Sequence, residues 1–372
     1  MQPPILTNDF KRQWAEIADD VLAAVAEVGA SGWYILGNQV REFEAALAAY
    51  WGVGHAVGVA SGLDALELAL RALGCKTGTK VLTSPISAFA TSLAILKLGA
   101  IPVFGDCDSS GLLDLDAAAR LLQRRPDIRY AVPVHLYGHP LDLESLAALR
   151  DRFGLVVVED CAQSIGATFA GQATATVGQA AATSFYPTKN LGAMGDGGAV
   201  LTNDAQLAAE IRRLRDYGQS AKYQHSAIGY NSRLDEVQAA VLRRACLPRL
   251  AQWTERRRAI ARMYLDALNN PRLRPLTADC KAASCYHLFP LVVTEGSKRD
   301  LMEHLGRLGV TTGEHYPHAL FDQPALAHAP YEAPGGCEGA RWICRSEVSL
   351  PMHPYLTDEE VERVTEACNS WR

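Results

Sequence analysis

Between residues 54 and 216, short runs of β-branched and apolar residues alternate with stretches whose apolar positions recur every three or four residues. The runs are HAVGVA, KVLTSP, IPVFGD, IRYAVPVHLYG, LVVVEDCAQS, AATSFYP and GGAVLTN. Between them the helical period covers 64–73, 87–98, 114–122, 143–153 and 204–215. Runs apolar on both faces and joined by helices predict a mainly parallel sheet covered on both sides. The runs at 181–187 and 197–203 are separated by a loop too short for a helical crossover, so they are expected to pair antiparallel or diverge, with an exposed loop tip.

The pattern then changes. Residues 234–269 read as helix, broken or kinked at Pro248, and lead into a second unit. There CYHLFPLVVTE, SKRDLMEHLGRLG, TTGEHYP and VSLPM precede a last helix over 357–368, which describes a small α+β domain. Residues 327–339, rich in Ala, Pro and Gly, are expected to form a mobile loop. The predicted division is a large α/β domain with an N-terminal segment over 1–249 and a small C-terminal α+β domain over 250–372.

Composition narrows the function classes. A chain of 372 residues with 48% hydrophobic and 21% charged residues is globular. Its 36 basic and 41 acidic residues give −5, so no overall field favours nucleic acid or an anionic membrane. No apolar run approaches the length of a membrane span and MQPPILTNDFKRQW lacks a signal-type apolar core, which leads to the expectation of a cytoplasmic protein. The nine cysteines show no CxxC pair and no zinc-type spacing, so they read as reduced core thiols with no metal site.

Three stretches carry candidate chemistry. In VASGLDALELAL a β-run ends in Ser61-Gly62 and a helix begins at once, which presents free N–H groups to a phosphate or makes Ser61 or Asp64 an ordinary N-cap. In VVVEDCAQS an apolar strand runs into Glu159-Asp160, at the strand end where open α/β sheets bind ligands. A carboxylate there can keep a ring nitrogen protonated. In TSFYPTKNLGAMGDGG, Ser184 lies on a strand and Lys189, in the loop after it, has no charged neighbour from Thr183 to Met194. A lysine so placed suits Schiff-base chemistry, although a loop lysine is also commonly just solvated. An anion cup, a strand-end acid and an isolated lysine are together the requirements of pyridoxal phosphate.

From Trp33 to the C-terminus the sequence resembles the DegT/DnrJ/StrS sugar aminotransferases, carried by GWYILGNQVREFEAALAAYWGV, SGLDAL, PVHLYGHPLD, EDCAQSIGA, SFYPTKNLGAMGDGGAV, GYNSRLDEVQAA and GEHYP. The resemblance implies fold type I of the pyridoxal phosphate enzymes, aspartate aminotransferase-like, with a mainly parallel mixed sheet. It implies Lys189 as the Schiff-base lysine and proton carrier, Asp160 at the pyridinium nitrogen and Gln163 at the ring's phenolic oxygen. Phe89 falls to the ring-stacking position, and Ser184 with the amides of Gly62 and Leu63 to the phosphate cup. Many members have threonine where Leu63 stands. Asn231 is implied to reach the cofactor from the second subunit of a homodimer with shared sites, and Arg233 to clamp the amino donor's carboxylate.

The same resemblance implies L-glutamate as donor, 2-oxoglutarate as its product, and pyridoxamine phosphate as the loaded cofactor. YPTKNLG and HYP are similar to members that aminate the 3-keto carbon of nucleotide-linked 6-deoxy sugars, first of all dTDP sugars. His315 and Tyr316 are then candidates for the sugar, and Lys222 and Tyr223 for the diphosphate. A 3- or 4-aminotransferase on UDP- or GDP-linked sugars, a keto-inositol aminotransferase, a pyridoxamine-phosphate-dependent dehydratase and a non-catalytic regulator stay as alternatives. Lys189 counts against the dehydratase, whose branch has histidine there.

Overall fold

A computed structural model describes residues 3–372. Two helices, α1 (Phe10–Ser31) and α2 (Asn38–Trp51), precede the first strand. Asp9 caps α1 by accepting from the N–H groups of Lys11 and Arg12, both at 3.0 Å. The residue before α2 is Gly37, which has no side chain to offer. Its role falls to Glu236, whose carboxylate accepts from the N–H groups of Gly37, Gln39 and Val40 at 2.8–2.9 Å.

The alternating segment follows as β1 (His55–Val59), α3 (Gly62–Ala72), β2 (Lys80–Thr83), α4 (Phe89–Lys97), β3 (Ile101–Phe104), α5 (Leu115–Arg124), β4 (Tyr130–Val132), α6 (Leu143–Phe153), β5 (Val156–Asp160), β6 (Ala180–Ser184), β7 (Gly198–Thr202) and α7 (Ala205–Arg215). The strands form one sheet in the order β1-β7-β6-β5-β4-β2-β3. Only β7 runs against the others. Its pairing with β6, Ser184 opposite Gly198, is the antiparallel arrangement that the short connection requires. Successive residues of β6 face opposite sides. Ala181 joins a core with Val21, Phe43, Leu47 and Phe185, whereas Ala180 and Ala182 join one with Leu66, Ile95 and Leu207.

After β7 and α7 the chain enters α8 (Glu236–Val241), a wide turn over Leu242–Cys246, a tight turn over Leu247–Arg249 that contains Pro248, and α9 (Leu250–Ala267). The backbone stays right-handed helical at these junctions, so Pro248 re-sets the hydrogen-bond ladder without ending the helical path. Then come β8 (Leu273–Pro275), β9 (Phe289–Val293), α10 (Lys298–Arg307), α11 (Glu338–Ser346), β10 (Glu347–Leu350) and α12 (Asp358–Ser370). Strands β8, β9 and β10 make a small antiparallel sheet in that order. It packs with Tyr264, Leu301 and Val364 of α9, α10 and α12.

Two expectations meet a different arrangement. Ile5 bridges to Val310 and is buried in the core of the small sheet, so the segment around Ile5 joins the C-terminal unit. The segment 327–339, expected to be a mobile loop, is strapped to the edge of the large sheet. Glu332 exchanges backbone hydrogen bonds with Pro102 and Phe104 beside β3, and its carboxylate meets Lys80 at 3.0 Å and Arg125 at 2.6 Å. An edge strand has unpaired N–H and C=O groups, and this strap satisfies some of them.

Candidate active site

A cleft of about 390 Å³ opens at the C-terminal ends of β5 and β6 and is closed on one side by the segment after α10. Its wall includes Ser61, Gly62 and Leu63, Asp160 and Gln163, Ser184 and Lys189, and His315 and Tyr316. The candidate phosphate, ring and sugar residues from distant parts of the chain thus share one cavity.

The phosphate end is built by a close approach of backbones. Ser61 caps α3 by accepting from the N–H of Asp64 at 3.1 Å, and Gly62 is the first helical residue. A Cβ on Gly62 would lie 2.6 Å from Cβ of Ser184, and one on Gly198 would lie 2.4 Å from the backbone of Ser61. Glycine is therefore required at both places, and the gap leaves the first N–H groups of α3 open to an anion beside the Ser184 hydroxyl. Leu63 lines the cleft with an apolar side chain, so the hydroxyls available here are those of Ser61 and Ser184.

Asp160 is the last residue of β5 and is 5% exposed. Its Oδ2 accepts from the Thr91 hydroxyl at 2.8 Å, Thr91 being itself 2.8 Å from the Ser87 hydroxyl, and its Oδ1 accepts from the N–H of Ala162 at 3.1 Å. Burial raises its pKa, against the pull of these donors and of Lys189. Lys189 is shifted the other way, down to about 8, because burial disfavours its ammonium more than Asp160 favours it.

Gln163 is oriented by the backbone. Tyr137, at φ 63°, donates its N–H to Oε1 at 2.6 Å, which leaves the amide NH₂ as a donor on the cleft side, where it reaches the Tyr316 hydroxyl at 3.2 Å. The Tyr137 hydroxyl in turn donates to the carbonyl of His315 at 2.7 Å. Burial, with Lys189 nearby, lowers His315 to about 4, so its ring is neutral.

Phe89 is not itself part of the cleft wall. Ala88 and Ala90 line the cleft, whereas Phe89, the first residue of α4, packs toward Ile86, Phe104 and Leu320. Consecutive residues at a helix start point about 100° apart, so a neighbour of a wall residue need not face the same space. Asn231, Arg233, Lys222 and Tyr223 also lie outside the cleft wall. Asn231 is exposed, and Arg233 bonds to Asp216 at 3.0 Å over the ring of Tyr217. Lys222 and Tyr223 sit at the tip of a hairpin formed by 219–221 and 224–225, with Tyr223 82% exposed.

Three residues not singled out from the sequence belong to the site. Thr91 holds Asp160, Tyr137 orients Gln163, and His287 lines the cleft while bonding to Asn190 at 3.2 Å. A histidine inside the apolar run CYHLFPLVV was the available signal for the last. Behind the site, His135, Glu159 and Cys161 cluster, but Glu159 already accepts from Ala175, Val177, Gly178 and His135, and His135 from Leu141. That cluster is a saturated brace for the end of β5. Eight of the nine cysteines are buried and all are unpaired.

These residues fit pyridoxal phosphate. The glycine cradle and helix start suit its phosphate, the buried Asp160 lacks a full counter-charge that a ring N–H⁺ supplies, and Lys189 is an amine easily made neutral.

Comparison with known proteins agrees. Residues 15–369 match the DegT/DnrJ/EryC1/StrS aminotransferase family. The chain is 42% identical over 373 residues to dTDP-3-amino-3,4,6-trideoxy-alpha-D-glucose transaminase of Streptomyces venezuelae, covering 99% of this chain and 96% of that one. It is 39% identical over 371 residues to a "Pleiotropic regulatory protein" of Geobacillus stearothermophilus, covering 98% and 97%. The crystal structure of S. venezuelae DesV in complex with a ketimine intermediate superposes with a TM-score of 0.94 at 41% identity, covering 100% of this chain and 99% of that one. With Lys189, Asp160 and the glycine cradle in one cleft, the chain belongs to the DegT/DnrJ/EryC1/StrS family and is a pyridoxal-phosphate-dependent aminotransferase.

Proposed function

We propose that the protein transfers the amino group of L-glutamate to the 3-keto carbon of a dTDP-linked 6-deoxyhexose, and that it does so as a homodimer with shared sites. The observation that carries the reading is the meeting of Lys189 and Asp160 with His315 and Tyr316 in one cleft, joined to 42% identity with a dTDP-3-amino sugar transaminase. Pyridoxal phosphate, when bound, supplies the electron sink that lets an amino group exchange for a keto oxygen.

The chain's own groups do the rest. The carboxylate of Asp160 holds the proton of the ring nitrogen, and Thr91 and the N–H of Ala162 hold that carboxylate in place. The Gln163 amide, pinned by Tyr137, donates to the ring oxygen. Nζ of Lys189, neutral above pH about 8, accepts a proton from the substrate carbon and returns it as an acid. Ser184 and the amides of Gly62 and Leu63 bind the phosphate. His315 and Tyr316 bind hydroxyls of the sugar.

Asn231, Arg233, Lys222 and Tyr223 stand outside their own subunit's cleft, which supports their use in trans: Asn231 toward the cofactor phosphate, Arg233 toward the donor's carboxylate, and Lys222 and Tyr223 toward the diphosphate. Large apolar side chains are exposed in the neighbouring segments. Trp33 is 63%, Tyr34 57% and Ile228 83% exposed, and Ile35 bridges to Asp235. Such a patch is what a second subunit covers. The regulator reading is disfavoured by the complete set of Lys189, Asp160 and Gln163, which regulation does not require.

The test is a panel of keto sugars on dTDP, UDP and GDP, offered to holoenzyme preloaded with L-glutamate, with products weighed by mass spectrometry. Glutamate is expected to bleach the visible cofactor band, and the dTDP-linked 3-keto sugar to gain the amine. Amination of 4-keto sugars alone would overturn the regiochemistry, and no bleaching by glutamate would overturn the donor.

A further inference from the structure

The segment that carries His315 is clamped onto β10 by a chain of hydrogen bonds that starts at a buried acid. Gly313 and Ser349 exchange backbone hydrogen bonds at 2.8 and 3.0 Å. Glu347 is fully buried, and its Oε2 accepts from the N–H of His315 at 2.7 Å. Its Oε1 accepts from the Ser349 hydroxyl at 2.5 Å, and the same hydroxyl oxygen lies 3.0 Å from Nδ1 of His315. A serine has one proton. If it is given to Glu347, the serine oxygen can only accept from the imidazole, so Nδ1 carries the ring's hydrogen. A neutral imidazole has one hydrogen on nitrogen, so Nε2 is then bare. Nε2 has no partner among the described residues, and His315 lines the cleft.

We propose that Glu347 and Ser349 are positioning residues that fix the tautomer of His315, making its Nε2 a hydrogen-bond acceptor that selects a hydroxyl donor on the bound sugar. This rests on the sugar reading above for the identity of the partner, though not for the tautomer. The clamp also explains why so costly a group as a buried carboxylate sits on β10. It satisfies a backbone N–H and a hydroxyl at once, and through them sets the polarity of a ring in the cleft.

The chain has a second state. With a proton on Oε1 of Glu347 the direction reverses: the carboxyl donates to Ser349, Ser349 donates to Nδ1, and Nε2 carries the hydrogen. Burial pushes Glu347 up to about 7, so ionisation on the alkaline side of neutrality selects the acceptor state. The groups facing Glu347 from its surroundings are Lys298 of α10, paired with Glu314 at 2.6 Å, together with Cys344, Tyr137 and Tyr316.

Glu347→Gln tests the proposal sharply, because it keeps the shape and inverts the direction. The amide oxygen continues to accept from the His315 N–H, and the amide NH₂ then donates to Ser349. Holoenzyme labelled with ¹⁵N-histidine is examined by NMR well above pH 7, with His315 assigned by the signal lost in His315→Gln. The wild type is expected to show a protonated Nδ1 and a bare Nε2, and Glu347→Gln the reverse. Ser349→Ala should weaken the preference.

In kinetics, Glu347→Gln should raise KM for the keto sugar by about tenfold, one hydrogen bond's worth, with the glutamate half-reaction changed less than about twofold. A wild-type His315 protonated on Nε2, or a Glu347→Gln enzyme that keeps Nδ1 protonated, would overturn the inference. An unchanged KM beside the expected tautomers would show that the ring does not select the sugar hydroxyl. Failure of every keto sugar as acceptor, with the tautomers as expected, would instead count against the function proposed above.

Discussion

Lys189 and Asp160 each owe their chemistry to burial, which pushes the lysine down to about 8 and the aspartate up. The cofactor-free protein should therefore react with an amine reagent such as trinitrobenzenesulfonate at Lys189 with a midpoint near pH 8, where an ordinary lysine needs about 10.5. Asp160 favours the ammonium, so Asp160→Asn should move that midpoint lower; a higher one would mean that the carboxylate does not act on Lys189. Gly62→Ala places a methyl 2.6 Å from Cβ of Ser184. It should destabilise the fold by roughly 1–3 kcal/mol, seen in denaturant melts, and weaken cofactor binding measured by absorbance titration. Both residues were legible in the sequence, the lysine from the absence of charge around it and the glycine from its place between strand and helix. That Phe89 falls outside the cleft wall was not, since one residue's rotation about a helix start leaves no mark in a linear pattern.

Among the elements, those with a strict period and local caps were read closely. Helix α6 runs over 143–153 as expected, capped by Asp142, which accepts from Ser145 at 3.0 Å. Helix α2 is different, because its cap comes from Glu236, which is 2% exposed. Glu236→Ala should strip three N–H groups of their acceptor and cost about 3 kcal/mol, whereas Ser145→Ala, a solvent-side control in the first turn of α6, should cost less than about 0.5 kcal/mol. Glu44 of α2 likewise accepts from the N–H of Gly58 at 2.8 Å and pairs with Arg215 of α7, which also donates to the Gly58 carbonyl at 2.7 Å. Glu44→Ala leaves a buried guanidinium without its acid and should lower the unfolding free energy by about 3–5 kcal/mol, a far larger loss than any surface pair here would give. The strap at 327–339 belongs with these cases: its composition is that of a loop, and only the edge of β3 beside it gives its backbone partners.

For the whole molecule, the proposed sharing of sites between subunits makes its own prediction. Lys189→Ala and the double variant Asn231→Ala, Arg233→Ala should each be inactive. After subunits are exchanged between them, about a quarter of the sites should recover, since half of the dimers are mixed and one site in each is intact. No recovery after exchange verified by native mass spectrometry would show that each subunit supplies its own set. The sequence alone determined what depends on neighbours along the chain: the alternation that makes a parallel sheet, the lack of room for a helical crossover between β6 and β7, and the residue types at strand ends that suit a cofactor. The tertiary structure alone decided what depends on residues far apart in the chain: the union of Ile5 with the C-terminal core, the capping of Gly37 by Glu236, the pinning of Gln163 by Tyr137, and the line from Glu347 through Ser349 to His315. A hydrogen-bond direction or a buried charge is set by what packs around it, and packing follows from the fold as a whole.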